Sequence, residues 1–157
     1  MSVTGNATTP AVITVDMVRM FMRDKAENNI LLDGVQFTKD EIDLAIRMAV
    51  SAYNVIPPKS GFDAATFPNE YLLLLGVTRF LLISESFLQL RNQCSYQDGD
   101  ISPIGLDDKQ VAYTQLANNI KAEWDELAKN YKVSQNMESC YGELSSGYRN
   151  ISRNSHN

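Results

Sequence analysis

Histidine, cysteine and glycine are scarce in this chain of 157 residues, and each scarcity excludes a class of site. The one histidine, His156, lies in a polar segment without helical periodicity, so no Ser-His-Asp or Cys-His arrangement is expected. Cys94 and Cys140 form no CxxC pair, which argues against a zinc framework and a disulfide scaffold, although a single bridge between them stays open. The eight glycines include no phosphate-binding loop.

Basic residues and long apolar runs are also in deficit. The chain has 14 lysines and arginines against 19 aspartates and glutamates, a net charge of −5. Binding to a nucleic-acid backbone needs clustered cations, so it is not expected, and an acidic surface lets DNA pass without adhesion. The most apolar run, Tyr71–Ile83, is interrupted by Arg79 and is shorter than the roughly 20 residues of a membrane span. We therefore expect a soluble protein in which this run is the central buried helix.

Two helices are predicted in the first third of the chain by capping signals and by apolar residues at three- and four-residue spacing. The first has its N-cap at Thr14, and the second opens with a capping box formed by Thr38 and Glu41. Pro57 and Pro58 end the second helix, because proline cannot continue it. The apolar face of the first helix is expected at Ile13, Met17, Met20 and Phe21. That of the second is expected at Ile42, Ala45, Ile46, Ala49 and Tyr53.

Two longer helices are predicted after these prolines. The third runs from Pro68, in its first turn, to Asn92, and it is apolar nearly all round, as is typical of a helix surrounded by others. The fourth begins near Asp107 and Asp108 and ends after Lys132. Its apolar stripe is expected at Tyr113, Leu116, Ala117, Ile120, Trp124, Leu127 and Tyr131. Its solvated face is expected at Lys121, Glu123, Asp125 and Lys129.

The predicted fold is all-α. It is a four-helix bundle with a short turn or hairpin insertion and extended tails at both ends. Residues 1–13 form an N-terminal arm, residues 14–132 the helical bundle domain, and residues 133–157 an extended C-terminal tail. The tail is assigned because its serine- and asparagine-rich sequence has no apolar periodicity.

The loop "YQDGDISPIG" contains two aspartates, Asp98 and Asp100, around Gly99, as a calcium-binding loop does. With Gly99 as the sixth residue of such a loop, three of the four ligand positions have no suitable oxygen ligand: they hold Cys94, Tyr96 and Gly105. Asp98-Gly99 matches a tight turn instead. We predict a turn without a metal ion, and no cofactor.

Arg79 and the C-terminal tail each have two interpretations. Arg79 lies in the most apolar helix, where its side chain either lies along apolar surface or forms an internal ion pair, or else contacts a neighbouring subunit. The tail segment "CYGELSSGY" is either disordered or docks on a partner through two aromatic anchors, Tyr141 and Tyr148. Both alternatives stay open.

Five segments follow one another in an order and spacing that resemble a known family. They are "ENNILLDGVQFTKDEIDLAIRMAVSAYNVIPP", "FPNEYLLLLGVTRFLL", "RNQCSYQDGD", "DDKQVAYTQL" and "YGELSSGY". Together they resemble the head–tail connector, or adaptor, proteins of tailed bacteriophages, over roughly residues 14 to 148. Each segment alone is weak; their order and spacing carry the resemblance.

The resemblance implies a ring, typically dodecameric, that docks under the portal protein. Such a ring extends the DNA channel and is the attachment platform for tail or neck proteins. The segment from Ser139 to Tyr148 would reach the portal, with Tyr141 and Tyr148 as its anchors. Gly142 and Arg149 would also contact the portal or a neighbouring subunit. The location implied is the neck of the virion, after synthesis in the bacterial host cytoplasm.

Other positions take roles under the same resemblance. Arg79 would contact the portal or a neighbouring subunit, and Asp98, Gly99 and Asp100 would form a loop at the channel or ring face. Genomic DNA would pass through the channel without specific binding. The resemblance implies no catalytic residue, no metal, no cofactor and no membrane.

Two rival hypotheses do not need the resemblance. One is a stand-alone helical protein–protein interaction module of a bacterial regulatory complex, which would be a monomer or dimer without affinity for portal. The other is a small helical enzyme. Its candidate carboxylates, Asp40, Glu41 and Asp43, already have a role at a helix N-terminus, and no Glu-x-x-His pair suits a di-iron site. We therefore expect no enzyme.

Overall fold

Four α-helices make up most of the described chain. The computed structural model describes residues 13–29, 34–92 and 109–141. The helices are α1 (Val15–Met22), α2 (Lys39–Val55), α3 (Glu70–Arg91) and α4 (Lys109–Tyr141). These ranges contain no strand, and the all-α prediction is confirmed. The N-terminal arm up to residue 12 and the predicted hairpin insertion at 96–101 lie outside the described residues.

The predicted helix caps are present. The side chain of Thr14 accepts a hydrogen bond from a backbone N–H in the first turn of α1. At the start of α2, the Thr38 backbone N–H donates to Glu41 Oε2 over 2.7 Å, and the Glu41 N–H donates to Thr38 Oγ1 over 3.3 Å. Each bond satisfies a backbone donor that a helix start leaves without an intrahelical partner. α2 ends at Val55, just before Pro57, as predicted.

Helix α3 is the centre of the bundle, because it packs against both α2 and α4. At Gly76 the three helices meet: a Cβ atom there would lie 2.9 Å from Trp124 Nε1 and 3.0 Å from Ala49 Cβ. Only glycine permits this close approach. The buried residues of α3 are Leu72, Leu73, Leu75, Gly76, Val77, Thr78, Leu81, Leu82 and Glu85. Burial of each large apolar side chain among them contributes about 1.5–3 kcal/mol.

The same helix has the length and composition of a membrane span. Among the described residues, Glu70–Arg91 is the one helix that meets this criterion, and 56% of its most apolar window is buried inside the bundle. One such helix is weak evidence for a span, since the core helix of a soluble protein also meets the criterion. The predicted absence of a membrane stays a prediction.

Two predicted core faces are partly wrong. In α1, Met20 and Phe21 are exposed, and the buried residue of the helix is Val18. A helix of eight residues covers only a narrow strip of the core, so one side of its apolar surface remains in solvent. In α4, Leu116 is 48% exposed, whereas Ala117 is buried. Leu116 lies at the margin of the buried face, because the 3.6-residue period turns position 116 away from α3.

Both ends of the α3–α4 pair differ from expectation. Pro68 lies one residue before the N-cap Asn69, outside the first turn of α3. α4 continues past Lys132 to Tyr141, so residues 133–141 are helical and not an extended tail. The Tyr131 hydroxyl donates to the Pro68 carbonyl over 3.2 Å, which places this part of α4 beside the start of α3. The last ten residues of α4 therefore run past the start of α3 by roughly 15 Å. Residues 142–157 lie outside the described residues.

Candidate interaction surfaces

Helix α2 carries large apolar side chains on the face opposite the core. Leu44, Met48 and Val55 are exposed, and they lie within one narrow stripe, because their spacings of four and seven residues are whole turns. Ser51 completes the stripe. Isolated exposed apolar residues are ordinary, but an aligned set on a face turned away from the core indicates a contact surface. We call these three apolar residues the α2 stripe.

Arg79 is held by aromatic rings of its own chain. Its guanidinium carbon lies 5.3 Å from the centre of the Phe80 ring and 5.7 Å from that of Trp124. These distances suit cation–π contacts. Within the described residues Arg79 has no ion pair and no hydrogen bond, and its buried Nε atom lacks a partner. The internal ion pair is therefore absent from this part of the chain, and the contact with a neighbouring subunit stays a prediction.

An aromatic cluster lies where the C-terminal part of α4 meets the α2–α3 connection. Tyr53 is fully buried, and its ring centre lies 4.9 Å from that of Phe67 and 6.1 Å from that of Phe62. Its hydroxyl donates to Gln135 Oε1 over 3.3 Å. The cluster thus bonds α2 to the part of α4 that was expected to be a tail.

Lys132 is a buried cation beside this aromatic cluster. It is 1% exposed, and its Nζ atom donates to the Pro58 carbonyl over 2.9 Å and to Ser60 Oγ over 2.5 Å. Nζ also lies 4.3 Å from the centre of the Tyr53 ring. No carboxylate pairs with Lys132 among the described residues, and burial lowers its pKa. An open cavity of about 590 Å³ beside it is also lined by Lys59. Since neutral acceptors already satisfy Lys132, we assign it a structural role.

The burial of Tyr53 has a consequence for alkaline stability. Burial, with a contribution from Tyr131, raises the pKa of Tyr53 from 10.0 to about 12. The folded state thus holds this proton more firmly than the unfolded state, which stabilises the fold below pH 10.0, and the contribution is lost as pH rises through about 12. Across this range we expect the wild-type chain to lose up to about 2 kcal/mol more unfolding free energy than Tyr53→Phe.

Urea unfolding at pH values below and within this range measures the difference. The lowered pKa of Lys132 acts in the opposite direction below pH 10.5, but it is common to both proteins and cancels in the comparison. Tyr71→Phe is the control: Tyr71 is exposed, its pKa is raised by the hydrogen bond to Glu123, and its replacement should leave the profile nearly unchanged. Parallel profiles for wild type and Tyr53→Phe would contradict the prediction.

Most of the predicted partner-binding residues lie outside the described residues. Gly142, Tyr148 and Arg149 lie outside the described residues, as does the loop Asp98–Asp100 with its central glycine, Gly99. Tyr141 is the last residue of α4, so the segment expected to be extended from Ser139 begins as helix. The position of the predicted portal contacts relative to Arg79 is therefore not tested, and these assignments stay predictions.

A protein metal site needs several histidine, cysteine or acidic side chains close together. Residues 13–29, 34–92 and 109–141 contain no cluster of three or more histidine, cysteine, aspartate or glutamate side chains placed to hold a metal ion. His156 and both cysteines lie outside the described side chains. The prediction that the chain is not an enzyme stays a prediction.

Three buried charged residues were missed from the sequence. Asp24, Glu85 and Lys132 are all buried, although each lies in a segment that reads as polar or as a helix surface. The only local signal was positional: Lys132 follows the buried Ala128 by four residues, on the same face of α4. No local pattern in the sequence marked Asp24 or Glu85 as buried.

Comparisons with known proteins leave function to be inferred from the residues and their packing. No protein-family model, no curated protein and no solved structure matches this chain. The resemblance to connector proteins is therefore a hypothesis based on the order of the sequence motifs. The α2 stripe and Arg79 are the described features that bear on it.

Proposed function

We propose that this chain is a structural head–tail connector of tailed bacteriophages. Its copies pack side by side in a ring, dodecameric as in the proteins it resembles, that docks under the portal protein and extends the DNA channel. The ring is the attachment platform for tail or neck proteins, at the neck of a virion assembled in the bacterial host cytoplasm. It acts through contacts alone, without a cofactor, a membrane or a chemical reaction.

The observation that carries this proposal is the α2 stripe. Leu44, Met48 and Val55 are each roughly half exposed or more, so a neighbouring copy that covers them removes a further part of their apolar surface from water. The gain is about 1 kcal/mol for each side chain, or about 3 kcal/mol for each contact between copies. A ring repeats this contact at every interface, so a modest contact is enough to favour assembly.

Arg79 supports the same proposal. A guanidinium fixed over the rings of Phe80 and Trp124 loses little side-chain entropy when it binds, and it has no carboxylate of its own among the described residues. A chain with a net charge of −5 presents many carboxylates to a neighbouring copy. The same acidic charge suits a channel through which DNA passes without adhesion.

The α2 stripe gives the first test. The double variant Leu44→Ser with Met48→Ser should reduce the fraction of chains in rings more than about tenfold, because polar side chains forfeit the apolar contact. The measurement is mass photometry of the purified chain with and without portal, together with electron microscopy of the particles. The matched control is Gln115→Ser with Asn119→Ser, two exposed polar residues at the same spacing on α4.

The outcomes separate the hypotheses. Rings under a portal that the stripe variant loses and the control keeps would support the connector. If rings still form with the stripe variant, the α2 stripe is not part of the interface. A wild-type chain that stays monomeric or dimeric, ignores portal and never occurs in virions would overturn the proposal and favour the regulatory interaction module.

A further inference from the structure

Glu85 is a buried carboxylate that forms no ion pair with a cation in the described part of the chain. It lies on α3 and is 6% exposed. Its one hydrogen bond within the described residues is accepted from Gln89 Nε2 over 2.6 Å. A carboxylate has about four positions at which it can accept a hydrogen bond, and a buried charge is costly unless it is paired. Glu85 is therefore left with acceptor capacity and without charge compensation.

The surroundings of Glu85 form a cavity of about 660 Å³, which amide side chains, Lys109 and Tyr113 also line among the described residues. Three amide side chains of the lining donate hydrogen bonds: Asn28 to the Arg23 carbonyl, Asn29 to Asp24 and Gly34, and Gln89 to Glu85 itself. Their carbonyl oxygens accept no hydrogen bond from the described residues. Glu85 itself favours a ligand that donates hydrogen bonds and carries positive charge.

The rim of this cavity is apolar. Val35 and Leu88 line it, and both are about 40% exposed. A ligand that places an alkyl chain against these two residues and a charged head on Glu85 matches both parts of the cavity. Lys109 also lines the cavity, but no ion pair joins it to Glu85. A volume of this size is ordinary for a small-molecule or side-chain pocket.

We propose that the Glu85 cavity binds an alkyl guanidinium or alkyl ammonium group. Such a group is carried by an arginine or lysine side chain of another protein chain, or by a free polyamine. A metal ion is disfavoured, because Glu85 is the only carboxylate among the described lining residues and cation sites in proteins use several. The proposal is independent of ring assembly, since the cavity is formed within one chain.

The first experiment titrates the full chain with butylguanidinium and follows the side-chain amide signals of Gln89 and Asn29 by nuclear magnetic resonance. A single small cation in a preformed pocket should bind with a dissociation constant of roughly 1 mM or lower. N-butylurea has the same shape without the charge, and it should bind at least about tenfold more weakly. Absence of binding, or equal binding of the urea, would overturn the proposal.

Variants then test the carboxylate itself. Glu85→Gln keeps the shape of the side chain and should weaken butylguanidinium binding at least about tenfold. Glu126→Gln, an exposed glutamate of α4, removes the same charge elsewhere and should change binding less than about twofold. Lys109→Met should strengthen binding, because it removes a like charge from the lining. Unchanged binding to Glu85→Gln, or weaker binding to Lys109→Met, would contradict the site.

The source of the cation is distinguished by a capped amino acid. Nα-acetyl-arginine N-methylamide presents the same head group on a peptide backbone. Binding of this compound within about threefold of butylguanidinium supports the proposal and assigns the cavity to an arginine of a partner chain. Binding of butylguanidinium and putrescine with exclusion of the capped arginine supports the proposal and assigns the cavity to a free small cation.

Discussion

Replacement of Asp24 with alanine is expected to lower the free energy of unfolding by about 3–5 kcal/mol, a large part of the stability of a chain of this size. Asp24 is 4% exposed and accepts three hydrogen bonds. The donors are the backbone N–H of Gln36 at 2.6 Å, the backbone N–H of Phe37 at 3.0 Å, and Asn29 Nδ2 at 2.7 Å. Alanine leaves these donors without a partner away from water, at about 1–3 kcal/mol each.

The same substitution should release the connection between α1 and α2. Asp24 fixes Phe37, which is buried and lies directly before the N-cap Thr38. Urea unfolding followed by circular dichroism measures the loss, and amide hydrogen exchange at Gln36 and Phe37 shows whether it is local. Asp24→Asn should be intermediate, because its amide keeps one acceptor and turns the other position into a donor.

Asp63 is the matched control for Asp24. Its Oδ1 atom accepts the backbone N–H groups of Ala65 and Thr66 at 2.9 Å and 2.7 Å, and the hydrogen bonds from Thr66 lower its pKa. Because Asp63 is exposed, water replaces these bonds after substitution. Asp63→Ala should therefore cost far less stability than Asp24→Ala. Similar losses for the two variants would show that burial is not the cause.

Gly76→Val is expected to lower the free energy of unfolding by about 3 kcal/mol. Even the first side-chain atom would meet Trp124 Nε1 at 2.9 Å and Ala49 Cβ at 3.0 Å. One contact is with a rigid ring and the other with an atom attached to the α2 backbone, so neither yields without movement of a helix. Thermal or urea unfolding measures the effect.

The chain offers a control for Gly76→Val and a test of the contact between Gly76 and Trp124. Gly61→Ala places a Cβ where no atom lies within 4 Å, and it should change stability by less than about 0.5 kcal/mol. In a double-mutant cycle, Gly76→Ala combined with Trp124→Phe should cost about 1 kcal/mol less than the sum of the single changes, because phenylalanine has no atom equivalent to Nε1. Additive losses would contradict the contact.

Much of the fold was predictable because its signals are local. The caps at Thr14 and Thr38 involve partners three residues away, and Pro57 ends α2 by its own chemistry. The end of α4 was not predictable, because Lys132 is bonded to Pro58, 74 residues away in the sequence. That contact holds α4 at the point where its polar last turns begin, and no local pattern contains it.

The buried charges were unpredictable for the same reason. Asp24 and Glu85 read as solvated acids, and their burial depends on which segments cover them after folding. Arg79 was noticed because a charge within an apolar helix is conspicuous, but its two aromatic neighbours include Trp124 of another helix. The residues of the α2 stripe can be read from the sequence, but their exposure depends on how α2 packs against α3.

Helix α4 is long enough for a small tilt of the bundle to produce a large displacement at its tip. It is anchored along α3 through Tyr131 and at the α2–α3 connection through Lys132, and its last turns extend past both. A helix of this length is about 50 Å long, so a tilt of the bundle by about 10° displaces its tip by roughly 8 Å. A tilt of the bundle therefore displaces residues 133–141 much further than it displaces the core.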